Sequence, residues 1–303
     1  MAKIVSAGVI LKETILSVPH IPIQYSRISF LPNKIFCGVG GHAFNMSLAM
    51  QYLGGECTLF SMIGKNENEA TLEPCDLPVK LTKMELEKNL SDTPCAVVLF
   101  DDDMRQQRID DFKDAATNQI NLDKFKEEIK DAELVVLSNA NFCVELAKIA
   151  KEAGKKIAVN MRTNLPDERE FNAKLLELSD IYYFSDTFLR EKAYDFTKKM
   201  AEKYNPEIIV TGCGSRGHLL YTRDENRFLE YKPVKTLEIV NTVGAGNALF
   251  GSFLHFYLKE NNPLEAIKKA NIFASYKIGF TGTSYGFISE DEIDRWEQLI
   301  FRS

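Results

Sequence analysis

The most constraining feature of this chain is an alternation that runs from Leu134 to Val210. The apolar runs Leu134-Val135-Val136-Leu137, Ile157-Ala158-Val159, Ile181-Tyr182-Tyr183-Phe184 and Ile208-Ile209-Val210 are short and rich in β-branched and aromatic residues, which marks them as buried strands. Helical periodicity fills the gaps between them. One stretch carries Val144, Leu146, Ile149 and Ala150 and stops at Gly154, a second centres on Leu175, Leu176 and Leu178, and a third is predicted from about Phe188 to Lys203. Strands joined by helices of this length require parallel crossovers, and a parallel sheet must be covered on both faces. Ligands of such sheets bind beyond the carboxyl ends of the strands, where Asn160, Ser185 and Thr211 are expected. A first strand is expected at Met1-Ala2-Lys3-Ile4-Val5. The C-terminal third is expected to be helical, from Gly246 to Lys259, from Pro263 to Ile278, and in a last helix where Ser289 and Glu292 have capping-box spacing.

Composition excludes several classes of function. A chain of 303 residues with 45% hydrophobic and 26% charged side chains can bury a large core. Its net charge of −6, with no lysine or arginine stripe, argues against nucleic acid as a partner. No apolar run reaches membrane-spanning length and the N-terminus lacks a signal-peptide layout, so no membrane association and a cytoplasmic location are expected. Cys37, Cys57, Cys75, Cys95, Cys143 and Cys213 are far apart, without a Cys-x-x-Cys pair, and read as reduced thiols. His20, His42, His218 and His255 are equally scattered, so no metal-ligand cluster is expected.

Three glycine motifs carry the chemistry. In the first, Asn241-Thr242-Val243-Gly244-Ala245-Gly246-Asn247 opens directly into the apolar helix Ala248 to Leu254. A small-residue turn at a helix N-terminus leaves backbone N–H groups aimed at one point, where the dipole also favours an anion such as phosphate. It is not a dinucleotide fingerprint, because the third glycine position is Leu249, and the chain holds no Walker-type Gly-Lys-Ser/Thr string. A side chain at Gly246 is expected to stand where the ligand approaches. In the second motif, Gly40-Gly41 precedes an amphipathic helix with Phe44, Leu48 and Tyr52 on one side, stopped at Gly54-Gly55. Asn45 lies in its first turns, with an amide suited to a hydroxyl. In the third, the strand ending at Thr211 runs into Gly212-Cys213-Gly214-Ser215-Arg216-Gly217.

In this order, the three motifs resemble the signatures of the ribokinase-like (PfkB-type) sugar and nucleoside kinases. The resemblance implies one ribokinase-like domain over 1–303, a three-layer α/β/α core with a mainly parallel central sheet, and a small β lid from about 12–36 and 92–112. The lid segments contain Ile15-Leu16-Ser17-Val18, Ile28-Ser29-Phe30, Ala96-Val97-Val98-Leu99-Phe100 and Arg105 to Asp110, all expected to be strands. It further implies ATP with Mg2+, transfer of the γ-phosphoryl group to a hydroxyl of a sugar or nucleoside, and a lid through which a homodimer can form. By resemblance Glu13, Gly40, Gly41 and Asn45 bind the sugar, Thr211, Gly214, Gly217 and Asn271 serve the nucleotide, and Gly244, Ala245 and Gly246 form the anion hole.

The departures from the family pattern are as informative. Asn247 occupies the position of the catalytic aspartate, and an amide does not accept a proton at neutral pH. Asn241 and Asn160 replace further aspartates, Ser185-Asp186-Thr187-Phe188 replaces the Asn-x-x-Glu that organises magnesium, and Glu13 replaces a sugar-binding aspartate. No protein metal ligand is therefore assigned. The polar segment from Lys65 to Asn89 is shorter than the family's insert, and its helix is expected to be lost or remodelled. Loss of a general base costs typically about 10²- to 10⁴-fold. Two functions follow from these residues: a kinase of weakened or lost activity, or a non-catalytic protein that uses the same pocket for a metabolite or the same lid for a partner.

Overall fold

The computed structural model describes residues 2–72, 79–161, 170–185 and 192–301. The strands are β1 (Lys3–Ala7), β2 (Leu11–Val18), β3 (Ile35–Gly40), β4 (Glu56–Gly64), β5 (Lys83–Leu90), β6 (Cys95–Asp101), β7 (Gln106–Asp111), β8 (Leu134–Ser138), β9 (Lys156–Asn160), β10 (Ile181–Ser185), β11 (Ile208–Gly212), β12 (His218–Thr222) and β13 (Arg227–Tyr231). The helices are α1 (His42–Tyr52), α2 (Leu122–Glu128), α3 (Cys143–Glu152), α4 (Glu170–Leu178), α5 (Ala193–Tyr204), α6 (Ala245–Glu260), α7 (Pro263–Lys277) and α8 (Glu290–Phe301).

Nine strands form one sheet in the order β13-β12-β11-β10-β9-β8-β1-β4-β5. From β11 to β5 every pairing is parallel, and only the hairpin partners β12 and β13 run antiparallel. The side-chain period of two divides the apolar residues between two cores. Val5, Ala7, Val135, Leu137, Tyr182 and Ile209 pack on the side covered by α2 to α5, while Ile4, Val136, Tyr183 and Val210 pack under α1 and α6 to α8. This accounts for the unbroken apolar runs, since a sheet covered on both faces has no polar side. The last helix starts as expected: Ser289 N donates to the Glu292 carboxylate at 2.9 Å, and the Glu292 amide donates back to Ser289 Oγ at 3.3 Å.

Helices α1 and α6 pack unusually closely. A Cβ at Gly251 would lie 2.9 Å from the carbonyl oxygen of Met46, so this contact requires glycine. One turn nearer the N-terminus of each helix, the same contact brings His42 of α1 against Asn247 of α6.

Strands β3, β2, β6 and β7 form a separate four-stranded sheet. Val97-Val98-Leu99 lies in it, as expected, but two boundaries differ. Ile28-Ser29-Phe30 is irregular rather than a strand, with Ile28 69% and Phe30 87% exposed. Pro19, Pro22 and Pro32 punctuate this segment and remove backbone donors that a ladder needs. The strand instead begins at Ile35 and continues to Gly40, so residues 37–40 belong to the small sheet and not to the central one. The inner face of the small sheet carries Glu13, Ile15, Phe36, Val98 and Arg108. Ile15, Phe36 and Val98 pack on Val243 of the turn before α6. Between Lys65 and Asn89 the described residues hold one short 3₁₀ turn, Glu69–Leu72, and the edge strand β5.

Candidate active site

The turn before α6 is built by Asn241, which is fully buried. Its Oδ1 accepts the Val243 amide at 3.0 Å, and its own amide and that of Val240 bond the carbonyl of Ile278 at 3.2 and 2.9 Å. Gly244 then caps the helix at φ +82°, in the left-handed region, where a Cβ would also lie 2.9 Å from the Thr283 carbonyl. No side chain caps α6 and its first turn contains no acid. Its amide end is thus suited to a bound anion.

Asn247 is in that first turn. Its Oδ1 lies 3.0 Å from Asn160 Nδ2, at the end of β9, and 2.8 Å from His42 Nδ1, at the start of α1. One side chain, Asn247, thus joins the start of α1 to the end of β9. Gly41 caps α1 at φ +114°, and a Cβ there would run into the Val9 carbonyl, so the Gly-Gly pair lets the strand end pass close beneath the helix.

The remaining residues assigned to the sugar converge on the loop after α7. Glu13, 4% exposed, accepts from Thr283 Oγ1 at 2.7 Å and pairs with Arg108 at 2.8 Å. A Cβ at Gly40 would overlap the Glu13 carboxylate. Asn45 Oδ1 accepts from Ser284 Oγ at 2.8 Å. Burial works against the Arg108 charge, yet the carboxylates of Glu13 and Asp110 hold its pKa above the ordinary value. Lys277 is fully buried beside this group; burial pushes its pKa down to about 7, with the Glu13 charge opposing. A cavity of about 260 Å³ opens under the small sheet, lined by Ile15, Phe36, Phe100, Val240 and Thr281, and stops short of Asn247.

The residues assigned to the nucleotide are further apart in their contacts. Thr211 is buried and its hydroxyl meets that of Thr197 on α5 at 2.8 Å. Gly214 opens a short 3₁₀ turn that ends at Gly217, whose carbonyl accepts from the Cys213 amide at 2.8 Å. Asn271 bonds His218 Nε2 at 3.0 Å and the Lys232 carbonyl at 2.8 Å, which fastens α7 to both ends of the β12–β13 hairpin. Burial lowers the pKa of His218.

Gly246 does not face open space. The Tyr183 hydroxyl lies between the end of β11 and the first turn of α6: a Cβ at Gly212 would be 2.6 Å from it, and one at Gly246 would overlap it. The ring of Tyr183 stacks on Phe250 at 5.3 Å.

Among the described residues no three His, Cys, Asp or Glu side chains converge on a metal position. Among the described residues, the side chains hydrogen-bonded to Asn247 are an amide and an imidazole. Asp186, Thr187 and Phe188 lie outside the described residues.

Residues 1–290 match the pfkB family carbohydrate kinase. The chain belongs to that family. It is 26% identical to the ribokinase of Dictyostelium discoideum over 309 aligned residues, covering 93% of this chain and 96% of that protein. The microbiome-derived acarbose kinase Mak1 shares the fold at a TM-score of 0.84 and 18% identity, covering 97% of this chain and 98% of that one. Arabidopsis thaliana ribokinase complexed with ribose and ATP does so at 0.76 and 17%, with 97% and 98% covered. The ribokinase-like α/β fold with a large, mostly parallel sheet is thereby shown. In this pfkB-family protein, sequence reasoning gave no role to His42, Arg108, Tyr183 or Thr283. His42 had one legible signal, its position directly after Gly40-Gly41. The others come from strands or loops without a motif.

No helix among the described residues is long and apolar enough to cross a membrane.

Proposed function

We propose that this protein is an ATP-dependent kinase that transfers the γ-phosphoryl group to a hydroxyl of a sugar or nucleoside. The observation that carries this reading is the meeting of Asn247, His42 and Asn160 at the uncapped N-terminus of α6. A phosphoryl group held by main-chain amides there stands beside groups able to orient a hydroxyl. Glu13 and Asn45 are the sugar-side groups, and the Gly214 to Gly217 turn with Asn271 shapes the nucleotide side.

The four-stranded sheet acts as a lid over the acceptor. Its outer face carries Ile35, Val97 and Ile109, which are 64%, 40% and 56% exposed, and this face is the one through which a homodimer would form. The whole is a single domain, and a cytoplasmic location fits a reaction that consumes ATP. Asn247 itself favours a second reading, a non-catalytic protein that keeps the ligand site, because an amide cannot take the acceptor's proton.

Both readings are tested by thermal shift and ATP turnover with ribose, deoxyribose and a nucleoside panel. The kinase reading expects a raised Tm with ATP and acceptor together with ADP formation that depends on the acceptor. A raised Tm without turnover would leave the second reading in possession.

A further inference from the structure

Lys277 ends α7 in the protein interior, where a charge is costly and a methionine would fill the same space without that cost. We propose that its ammonium is the resident positive charge of the anion site at the N-terminus of α6; this deepens the phosphoryl-transfer reading above and rests on its assignment of that helix end to a phosphoryl group.

The connection between the two is short. Lys277 Nζ donates to the Phe280 carbonyl at 3.5 Å, its one hydrogen bond among the described residues, although an ammonium has three donors. The same carbonyl accepts from Asn241 Nδ2 at 3.5 Å, and Asn241 Oδ1 in turn accepts the Val243 amide at 3.0 Å. One carbonyl and one side chain thus separate the ammonium from the turn that opens α6. At that turn the amides of Gly246 and Asn247 have no acceptor among the described residues, and the first turn of the helix holds no acid.

The nearby acid is engaged elsewhere. Glu13 is the charge that acts on Lys277, but its carboxylate pairs with Arg108 at 2.8 Å and accepts from Thr283 Oγ1 at 2.7 Å, while Arg108 also pairs with Asp110 at 2.7 Å. No described carboxylate forms an ion pair with Lys277 itself. The charged groups on its side of the small sheet are therefore Glu13 of β2 and, beyond it, Arg108 and Asp110 of β7. From α1, His42 reaches the same helix end through Asn247.

Lys277 lies in the last turn of α7, where the helix dipole favours a cation, while burial presses its pKa down to about 7. An anion at α6 favours the charged form. Lys277 does not touch that anion; it is a positioning residue that acts through its field and through the Asn241 turn. Above pH 7 the free amine is largely neutral, so anion binding should draw in a proton and weaken as the pH rises.

Sulfate is the probe, because its charge is constant across this range. Calorimetric titration of the full chain, in buffers of different ionisation enthalpy, reads affinity and proton uptake together. The wild type is expected to lose about tenfold in affinity from pH 6.5 to pH 9, with a proton taken up on binding between these limits. Lys277→Met should bind about tenfold more weakly at pH 6.5, without the fall and without the uptake. Other groups that titrate in this range, His42 included, are common to both proteins, so the difference belongs to Lys277. In Lys277→Ala, added methylammonium should restore sulfate affinity, which a side chain that only fills space would not allow. Thermal unfolding of each variant verifies the fold. Equal affinity and equal proton uptake in the wild type and Lys277→Met would overturn the proposal whatever turnover shows. Sulfate binding that depends on Lys277 in a protein that never consumes ATP would uphold it and remove the kinase reading instead.

Discussion

The carboxylate of Glu13 on β2 accepts a hydrogen bond from the Thr283 hydroxyl at 2.7 Å, and this contact fastens the small sheet to the loop that follows α7. The same carboxylate faces Arg108 across the small sheet and lies near the buried Lys277. One acid thus links the small sheet to the loop that flanks Gly244.

Thr283→Val should remove one donor from a buried carboxylate at a cost of about 1–3 kcal/mol. Glu13→Ala should cost more, roughly 3 kcal/mol, because it leaves Arg108 and Lys277 without their shared counter-charge. Urea unfolding of the two variants measures both, and equal Cm values for Glu13→Ala and wild type would show that the link carries no stability.

Lys277 makes stability depend on pH. Its native pKa is depressed to about 7 by burial, whereas the unfolded side chain titrates near its ordinary value of 10.5. Between those values the unfolded chain binds the extra proton, so this residue should make stability rise with pH across the window, by on the order of 1 kcal/mol per pH unit. Lys277→Met should flatten that rise. Denaturant midpoints of both proteins at pH 7 and pH 9 provide the comparison; parallel slopes would place the buried charge elsewhere.

Gly251→Val should separate α1 from α6, because any Cβ at this position already crowds the Met46 carbonyl. Overpacking of this kind costs about 1–3 kcal/mol. Turnover is expected to fall by a larger factor than stability predicts, since the His42–Asn247 contact depends on the same packing. A variant that unfolds more easily yet keeps wild-type kcat would uncouple the interface from the site.

A Cβ at Gly246 would meet the Tyr183 hydroxyl. Gly246→Ala should therefore destabilise the protein by about 1–3 kcal/mol even without nucleotide. Tyr183→Phe should relieve part of this in the double variant, since it removes the overlapping atom and keeps the ring on Phe250. Differential scanning calorimetry of the two single variants and the double variant yields the coupling energy, which should be about 0.5 kcal/mol or more.

The sequence by itself determined the layered architecture and the position of the turn before α6. Four apolar runs separated by helical periods became β8, β9, β10 and β11, and Gly244 took the left-handed cap that its place before the helix called for. These signals are local: side-chain period and backbone conformation are set by neighbours within a few residues. The irregular path of Ile28-Ser29-Phe30 shows the limit of such reading, because three prolines nearby outweighed a β-prone triplet. The chemistry of the site was decided only by the tertiary structure. His42 and Asn247 are separated by 205 positions, Glu13 and Thr283 by 270, and no periodicity relates either pair. They meet because Gly251 lets two helices touch and because the loop after α7 closes against a second sheet, and such contacts follow from three-dimensional packing of distant segments, which sequence spacing does not encode.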